Sequence, residues 1–198
     1  MNFLAHLFLS GDDPEVMIGN FIADHVKGNR KDAYPDGIRK GIELHRAIDH
    51  FTDTHPVTAF SRQLLYDSQS KYSGVVVDLF YDHFLAANFN AYSTVELHEF
   101  IQQAYSTLSD NQAVLPEQVR IFLPMMIERN WLGGYVTVDG IGRSLKGLSK
   151  RVNFPNRMHE AEEDLRRLYP ALEAHFRAFF QELINFADIR RNAAVPDR

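Results

Sequence analysis

Apolar residues recur at helical spacing along nearly the whole chain. Phe3, Leu4, Leu7 and Phe8 mark one side of a short helix over 2–9. Asp13 before Pro14 reads as an N-cap followed by proline at the first helical position, opening a helix that carries Val16 to Val26. Gly28 to Gly37 reads as a loop around Pro35, followed by a strong helix over 38–53. Pro56 opens a further helix reaching 70, and another spans 73–89. Ser93 with Glu96 three residues later fits a capping box for a helix over 94–108. Pro116 opens a helix to Trp131, expected to bend at Pro124, which lacks an N–H, and to break at Gly133-Gly134. Helices over 137–151 and 157–190 follow, the last interrupted at Pro170, and the polar residues Asn192 to Arg198 are expected to fray. Val75-Val76-Val77 is β-branched but sits inside a helical pattern, no stretch alternates with period two, and no hairpin turn joins two alternating runs. The expectation is one all-α domain over 1–198, a helical bundle.

Composition narrows the chemistry. The 198 residues are 45% hydrophobic and 24% charged, ordinary values for a globular chain large enough to bury a core without a covalent staple. Cysteine is absent, which excludes disulfides, thiolate zinc sites, iron–sulfur clusters and thiol nucleophiles. Any metal must be held by His, Asp and Glu. Of nine histidines, six fall in the first 83 residues: His6, His25, His45, His50, His55 and His83. The 21 basic and 26 acidic residues leave a net charge of −5, which argues against general attraction to nucleic acid or an anionic membrane. No apolar run reaches the roughly 18 residues of a membrane span, and the start lacks a basic export region. A cytoplasmic location is therefore expected.

The segment from Gly41 to Pro56 carries the strongest signal. His45, Asp49 and Asp53 are spaced i, i+4, i+8, within about 80° of arc on one stripe, beside an apolar stripe of Leu44, Ile48 and Phe51. Two acids one turn apart repel unless a cation, or an arginine such as Arg46, lies between them. Asp78 and Asp82 repeat the i, i+4 spacing in a mainly apolar helix, where a charged group is costly unless paired or metal-bound, and His83 follows. Asp24 lies at the end of the second helix and His6 within the apolar first one. Imidazole and carboxylate from separate helices, without thiolate, suit Mn, Mg, Fe or Zn in a hydrolytic role. Each residue alone has a plain reading: His6 as a structural histidine, Asp49 and Asp53 as partners of Arg46, and His25, His50 and His55 as surface or capping residues.

Four motifs in order resemble the acyl carrier protein phosphodiesterase (acyl carrier protein hydrolyase) family. They are Met1-Asn2-Phe3-Leu4-Ala5-His6-Leu7, Gly19-Asn20-Phe21-Ile22-Ala23-Asp24, Gly41-Ile-x-Leu-His45-Arg46-x-Ile-Asp49-x-x-Thr-Asp53, and Asp82-His83-Phe84-Leu85. The likeness is densest in the first 90 residues and loose after Tyr92. It implies hydrolysis of the phosphodiester linking 4′-phosphopantetheine to a serine of holo acyl carrier protein, giving apo carrier protein and 4′-phosphopantetheine. It also implies a divalent cation, manganese by preference with magnesium or iron as alternatives, and distant kinship with the all-helical His-Asp phosphohydrolases. His45 and Asp49 stand a turn apart rather than adjacent, and Asp82-His83 is reversed relative to that wider group, so the liganding set rests on spacing here.

On that basis His6, Asp24, His45, Asp49 and Asp82 are expected to supply the metal shell. Asp53 or His83 is expected to handle the proton of water or of the departing serine, and Arg46 and Arg62 to neutralise phosphoryl charge. An acidic carrier protein would need a local basic surface on this acidic chain. Lys27 and Arg30 head one basic stretch over 26–46, and Arg143 to Arg157 form a second. Two rival readings remain: a metal-dependent phosphohydrolase of nucleotides or other small phosphoesters, and a helical binding module whose acids and histidines form internal ion pairs. A haem protein would be a third, though no Cys-x-x-Cys-His is present.

Overall fold

The computed structural model describes residues 1–193, and Ala194 to Arg198, part of the tail expected to fray, lie outside the described residues. Ten α-helices occur among them: α1 Phe3–Leu9, α2 Pro14–Ile22, α3 Asp36–Thr54, α4 Pro56–Gln69, α5 Ser73–Ala87, α6 Leu97–Asp110, α7 Glu117–Glu128, α8 Trp131–Gly134, α9 Val138–Ser149 and α10 Ala161–Asn192. Short 3-10 turns link several of them, and no strand is present among the described residues. The all-α expectation is correct. None of these helices is long and apolar enough to cross a membrane.

Local chemistry sets the first helix boundaries. Asp13 accepts from the backbone N–H of Glu15 and Val16 at 2.9 and 3.3 Å, and Pro14 occupies the first helical position. His55 ends α3 and caps α4, its Nδ1 accepting from the N–H of Val57. α5 is apolar on nearly every side, with Val76, Val77, Leu79, Phe80, Tyr81, Phe84 and Leu85 all buried. A helix of that kind lies inside a bundle rather than on its surface. α1, α4, α9 and α10 pack around it. Phe176, Phe179 and Phe180 of α10 are fully buried against Tyr81, Phe84 and Tyr92, so this aromatic stripe is core.

Three boundary expectations are corrected. Ser93 makes a local turn, accepting from the N–H of Val95, while Glu96 is taken by Asn90, so α6 begins only at Leu97 and no capping box forms. The helix from Pro116 ends at Glu128, because Asn130 adopts a left-handed conformation (φ 44°) and its side chain caps α8. α10 runs through Pro170 without a break. Its buried stripe of Leu165, Leu172, Phe176 and Leu183 holds both halves in register, and that packing outweighs one missing backbone bond.

α2 and α3 make the most extensive helix pair, and two glycines permit it. A Cβ built on Gly19 would stand 1.9 Å from the carbonyl oxygen of Ile38, and one on Gly41 would stand 2.2 Å from that of Val16. The two backbones therefore touch directly. This contact brings His45 of α3 within hydrogen-bonding reach of the Asn20 backbone. Gly41→Ala is expected to cost about 1–3 kcal/mol through overpacking, measurable as a lower Tm by circular dichroism. An unchanged Tm would show that the helices can separate freely.

Candidate metal centre

Four short segments converge next to this glycine contact. α1 presents His6, α2 presents Asn20, the turn Ala23–His25 presents Asp24, and α3 presents His45 and Asp49. The two imidazole rings stack, 3.9 Å between centroids and 16° from parallel. Asp49 bridges them: Oδ1 lies 3.1 Å from His6 Nε2, and Oδ2 lies 3.0 Å from His45 Nε2. Asp24 Oδ1 approaches His45 Nε2 at 3.2 Å from the solvent side. Ligand atoms of His6, His45 and Asp49 all fall within 4.8 Å of one another.

Asn20 decides what the histidines can do. Its Nδ2 donates to the His6 backbone carbonyl at 2.8 Å and to Ser10 Oγ at 3.0 Å, so its Oδ1 is the acceptor facing His6 Nδ1 at 2.8 Å. His6 therefore carries its proton on Nδ1. The Asn20 backbone carbonyl, an obligate acceptor, faces His45 Nδ1 at 2.8 Å and fixes that ring in the same way. In their neutral forms both rings then aim an unprotonated Nε2 at a carboxylate. Lone pairs facing lone pairs at 3 Å repel unless a proton or a cation lies between them, and imidazoles fixed by a hydrogen bond at the opposite nitrogen are a recurrent feature of metal sites.

Without a cation, a proton takes that place. Burial works against charge on His45, but hydrogen bonds to Asp24 and Asp49 push its pKa up to about 9. Burial and the neighbouring charge of His45 push His6 down to about 4. Burial alone would raise the Asp49 carboxyl, but hydrogen bonds from His45 and His6 hold it far below the ordinary carboxylate range. Asp24 is lowered chiefly by its hydrogen bond from His45. A folded-state pKa above the unfolded value means the His45 contribution to stability is complete below about 6.5 and is lost as pH rises through about 9. Chelator-treated protein should therefore lose several degrees of Tm between neutral pH and pH 9. Affinity for a divalent ion should rise over the same interval, because the ion replaces that proton. A Tm that rises with pH in chelator would contradict the assignment.

The remaining expected site residues are placed as follows. Asp82 is fully buried, and its two oxygens accept from the N–H groups of Leu4 and Ala5 at 2.7 and 3.2 Å. It caps α1 from α5, where α1 has no side-chain cap of its own. Burial nevertheless pushes its pKa up to about 7. Asp82 is thus spent on the backbone rather than brought into the His6–His45–Asp49 group. His83 is buried between the Tyr135 carbonyl (2.8 Å) and the Tyr169 hydroxyl (3.1 Å), and burial lowers its pKa. Asp53 is exposed and pairs with Arg62, whose Nη2 also donates to the Asp53 carbonyl at 2.8 Å. Arg46 donates to the carbonyls of Val26 and Gly28, tying the loop after Asp24 to α3. Asp78, half-buried, lies 3.1 Å from the Met1 amine, which also reaches Asp49 at 3.5 Å. Lys27 and Arg30 are exposed. Sequence reasoning gave Asn20 no role of its own; the available signal was a buried amide inside an apolar helical turn.

The donor set fits a divalent cation: two fixed imidazole nitrogens, a bridging carboxylate and an exposed second carboxylate, with no lysine or arginine bonded to them among the described residues and the Met1 amine 3.5 Å from Asp49. Comparison with known proteins identifies the family of the chain. The sequence model of the family described as acyl carrier protein phosphodiesterase matches residues 1–183. A protein named acyl carrier protein phosphodiesterase from Photorhabdus laumondii is 31% identical over 197 residues, covering 99% of this chain and 100% of the relative. One of the same name from an Enterobacter species is 31% identical, covering 93% and 96%, and one from Escherichia coli O6:H1 is 29% identical, covering 94% and 97%. No solved structure matches the chain. The match to the family model over most of the chain, together with full-length relatives at this identity, establishes that the chain belongs to the acyl carrier protein phosphodiesterase family.

Proposed function

We propose that this protein hydrolyses the phosphodiester between 4′-phosphopantetheine and a serine of holo acyl carrier protein, at a divalent cation held by His6, His45, Asp49 and Asp24. The observation that carries the reading is the pair of stacked histidines, each locked by Asn20 so that Nε2 faces the same carboxylate. A cation there, manganese by preference, supplies Lewis-acid charge toward a phosphoryl oxygen. The link to His-Asp phosphohydrolase chemistry rests on this donor set alone.

The protein's own groups supply the rest. Asn20 holds both rings in one tautomer, so no reorganisation is needed when substrate arrives. Asp49, ionised by its two imidazole partners, keeps the cluster near neutrality when a divalent ion is present. Asp53 stands exposed one turn further along α3, oriented by Arg62, and is assigned the proton taken from the attacking water, which it then passes to the departing serine oxygen. His83, enclosed between Tyr135 and Tyr169, is assigned a structural part in place of the proton transfer expected from sequence.

The carrier protein is acidic, and we assign its docking to the loop at Lys27 and Arg30. Lys31 and Arg39 in the same stretch are paired with Glu43 and Asp36, whereas Lys27 and Arg30 have no carboxylate partner among the described residues. The double substitution Lys27→Glu with Arg30→Glu should raise KM for holo carrier protein by about tenfold or more at low salt, with little change in kcat. The penalty should shrink as ionic strength shortens the Debye length. A KM independent of both charge and salt would remove this docking face. Faster turnover of nucleotides than of holo carrier protein would favour the rival small-phosphoester reading.

A further inference from the structure

A cavity of about 530 Å³ opens beside the metal cluster without including its histidines. Its walls come from the Met1–Phe3 segment, from α5, from the α7–α8 junction and from α9. Asp24, bonded to His45, stands on its wall, so the cavity and the cluster meet at this one side chain. Phe3, Leu79, Trp131 and Leu148 make much of the lining apolar. Arg129, Arg143 and Arg151 stand around it, exposed and without a carboxylate partner among the described residues; Arg151 lies over the Trp131 ring at 5.7 Å. Apolar walls with a few convergent polar donors, at a size within the roughly 300–1,000 Å³ of small-ligand sites, describe a binding cavity.

Two glycines in the lining sharpen this. A Cβ on Gly134 would meet nothing within 4 Å, and one on Gly147 would meet only Arg151 Nη2 at 3.9 Å. Neither has a positive φ. Gly147 lies inside α9, where glycine costs about 1 kcal/mol relative to alanine. Neither packing nor backbone geometry requires glycine at these two positions, and both line the cavity, where a side chain would take up its space.

We propose that this cavity receives the phosphopantetheine arm of the substrate, so that α9 and Trp131 select for a carrier protein bearing that arm. The inference rests on the function proposed above. The arm is a neutral, flexible chain of methyl and methylene groups broken by amides and a hydroxyl. Its apolar parts suit Phe3, Leu79, Trp131 and Leu148. Its carbonyl oxygens need donors, which the three arginines, Asn130 and Ser144 provide. An acidic protein helix would meet only the exposed arginines at the rim, whereas the slim arm is the part of the substrate that can enter the concavity between Phe3, Leu79, Trp131 and Leu148.

The test uses the full chain loaded with Mn²⁺, titrated calorimetrically with 4′-phosphopantetheine and, separately, with inorganic phosphate. Wild type should bind 4′-phosphopantetheine about tenfold or more tighter than phosphate. Gly147→Leu should cut that advantage to about twofold while leaving phosphate affinity unchanged and Tm at or slightly above that of wild type, and Trp131→Ala should cut it independently. Equal affinities in wild type, or an advantage that survives both variants, would overturn the proposal. So would an equal loss of apo carrier protein binding, which would mean the cavity reads the protein and not the arm. Wild type that fails to cleave holo carrier protein would count against the function itself, whereas cleavage unaffected by Gly147→Leu would remove only the cavity's role.

Discussion

Asp49→Asn is expected to lower kcat/KM on holo acyl carrier protein by a factor on the order of 10³ while leaving helicity near wild type. Asp49 is the side chain that touches both histidines, so it is the junction of the cluster. Asparagine keeps the shape but loses the charge and turns one of the two facing oxygens into a donor. Either histidine would then face an N–H instead of a carboxylate, and a divalent ion would lose its anionic bridge. The loss should appear first as reduced metal content after dialysis and then as reduced turnover. In chelator the same substitution should lower the His45 pKa, because a hydrogen bond that holds it near 9 is gone. A variant that keeps wild-type metal content and activity would show that the cluster is an internal ion pair and nothing more.

Asn20→Ala is expected to cost about 2–4 kcal/mol of stability and 10- to 100-fold in metal affinity. The substitution removes three side-chain hydrogen bonds in a buried place, to His6 Nδ1, the His6 carbonyl and Ser10 Oγ. Ser10 still satisfies the His6 carbonyl, but His6 Nδ1–H is orphaned. Its neutral ring can then move the proton to Nε2, where it bonds Asp49 and ceases to be a ligand. Histidine ¹⁵N shifts would report that tautomer change directly. A wild-type His6 tautomer and metal affinity in Asn20→Ala would mean that His6 is fixed by its stacking on His45 and not by the Asn20 side chain.

How much of this was legible in the sequence depends on how local each partnership is. His45 and Asp49 share one helix four residues apart, so their common face follows from helical geometry, and the structure joins them through a 3.0 Å contact. Asp13-Pro14 is similarly local. Asp53, one turn further on, drifts around the helix and meets Arg62 of α4 in solvent. Asp82 showed the limit of spacing arguments. An acid in an apolar helix must be compensated, but the compensating groups are backbone amides of a helix nearly eighty residues earlier, which no local pattern reveals. The closeness of α2 and α3 through Gly19 and Gly41 has the same character, since each glycine looks ordinary until the opposing backbone is placed. Asn20 went unassigned because its partners, His6 and the rings it orients, come together only in the folded bundle.

The most direct measurement is the mass of holo acyl carrier protein after incubation with this protein, first in chelator and then with Mn²⁺ restored. A loss of about 340 Da from the carrier protein, the mass of the released 4′-phosphopantetheine less the water consumed in hydrolysis, that appears only with the metal and disappears in Asp49→Asn is the predicted result. An unchanged mass with Mn²⁺ present, or the same loss in chelator and in Asp49→Asn, would contradict a hydrolytic metal centre built on His6, His45 and Asp49.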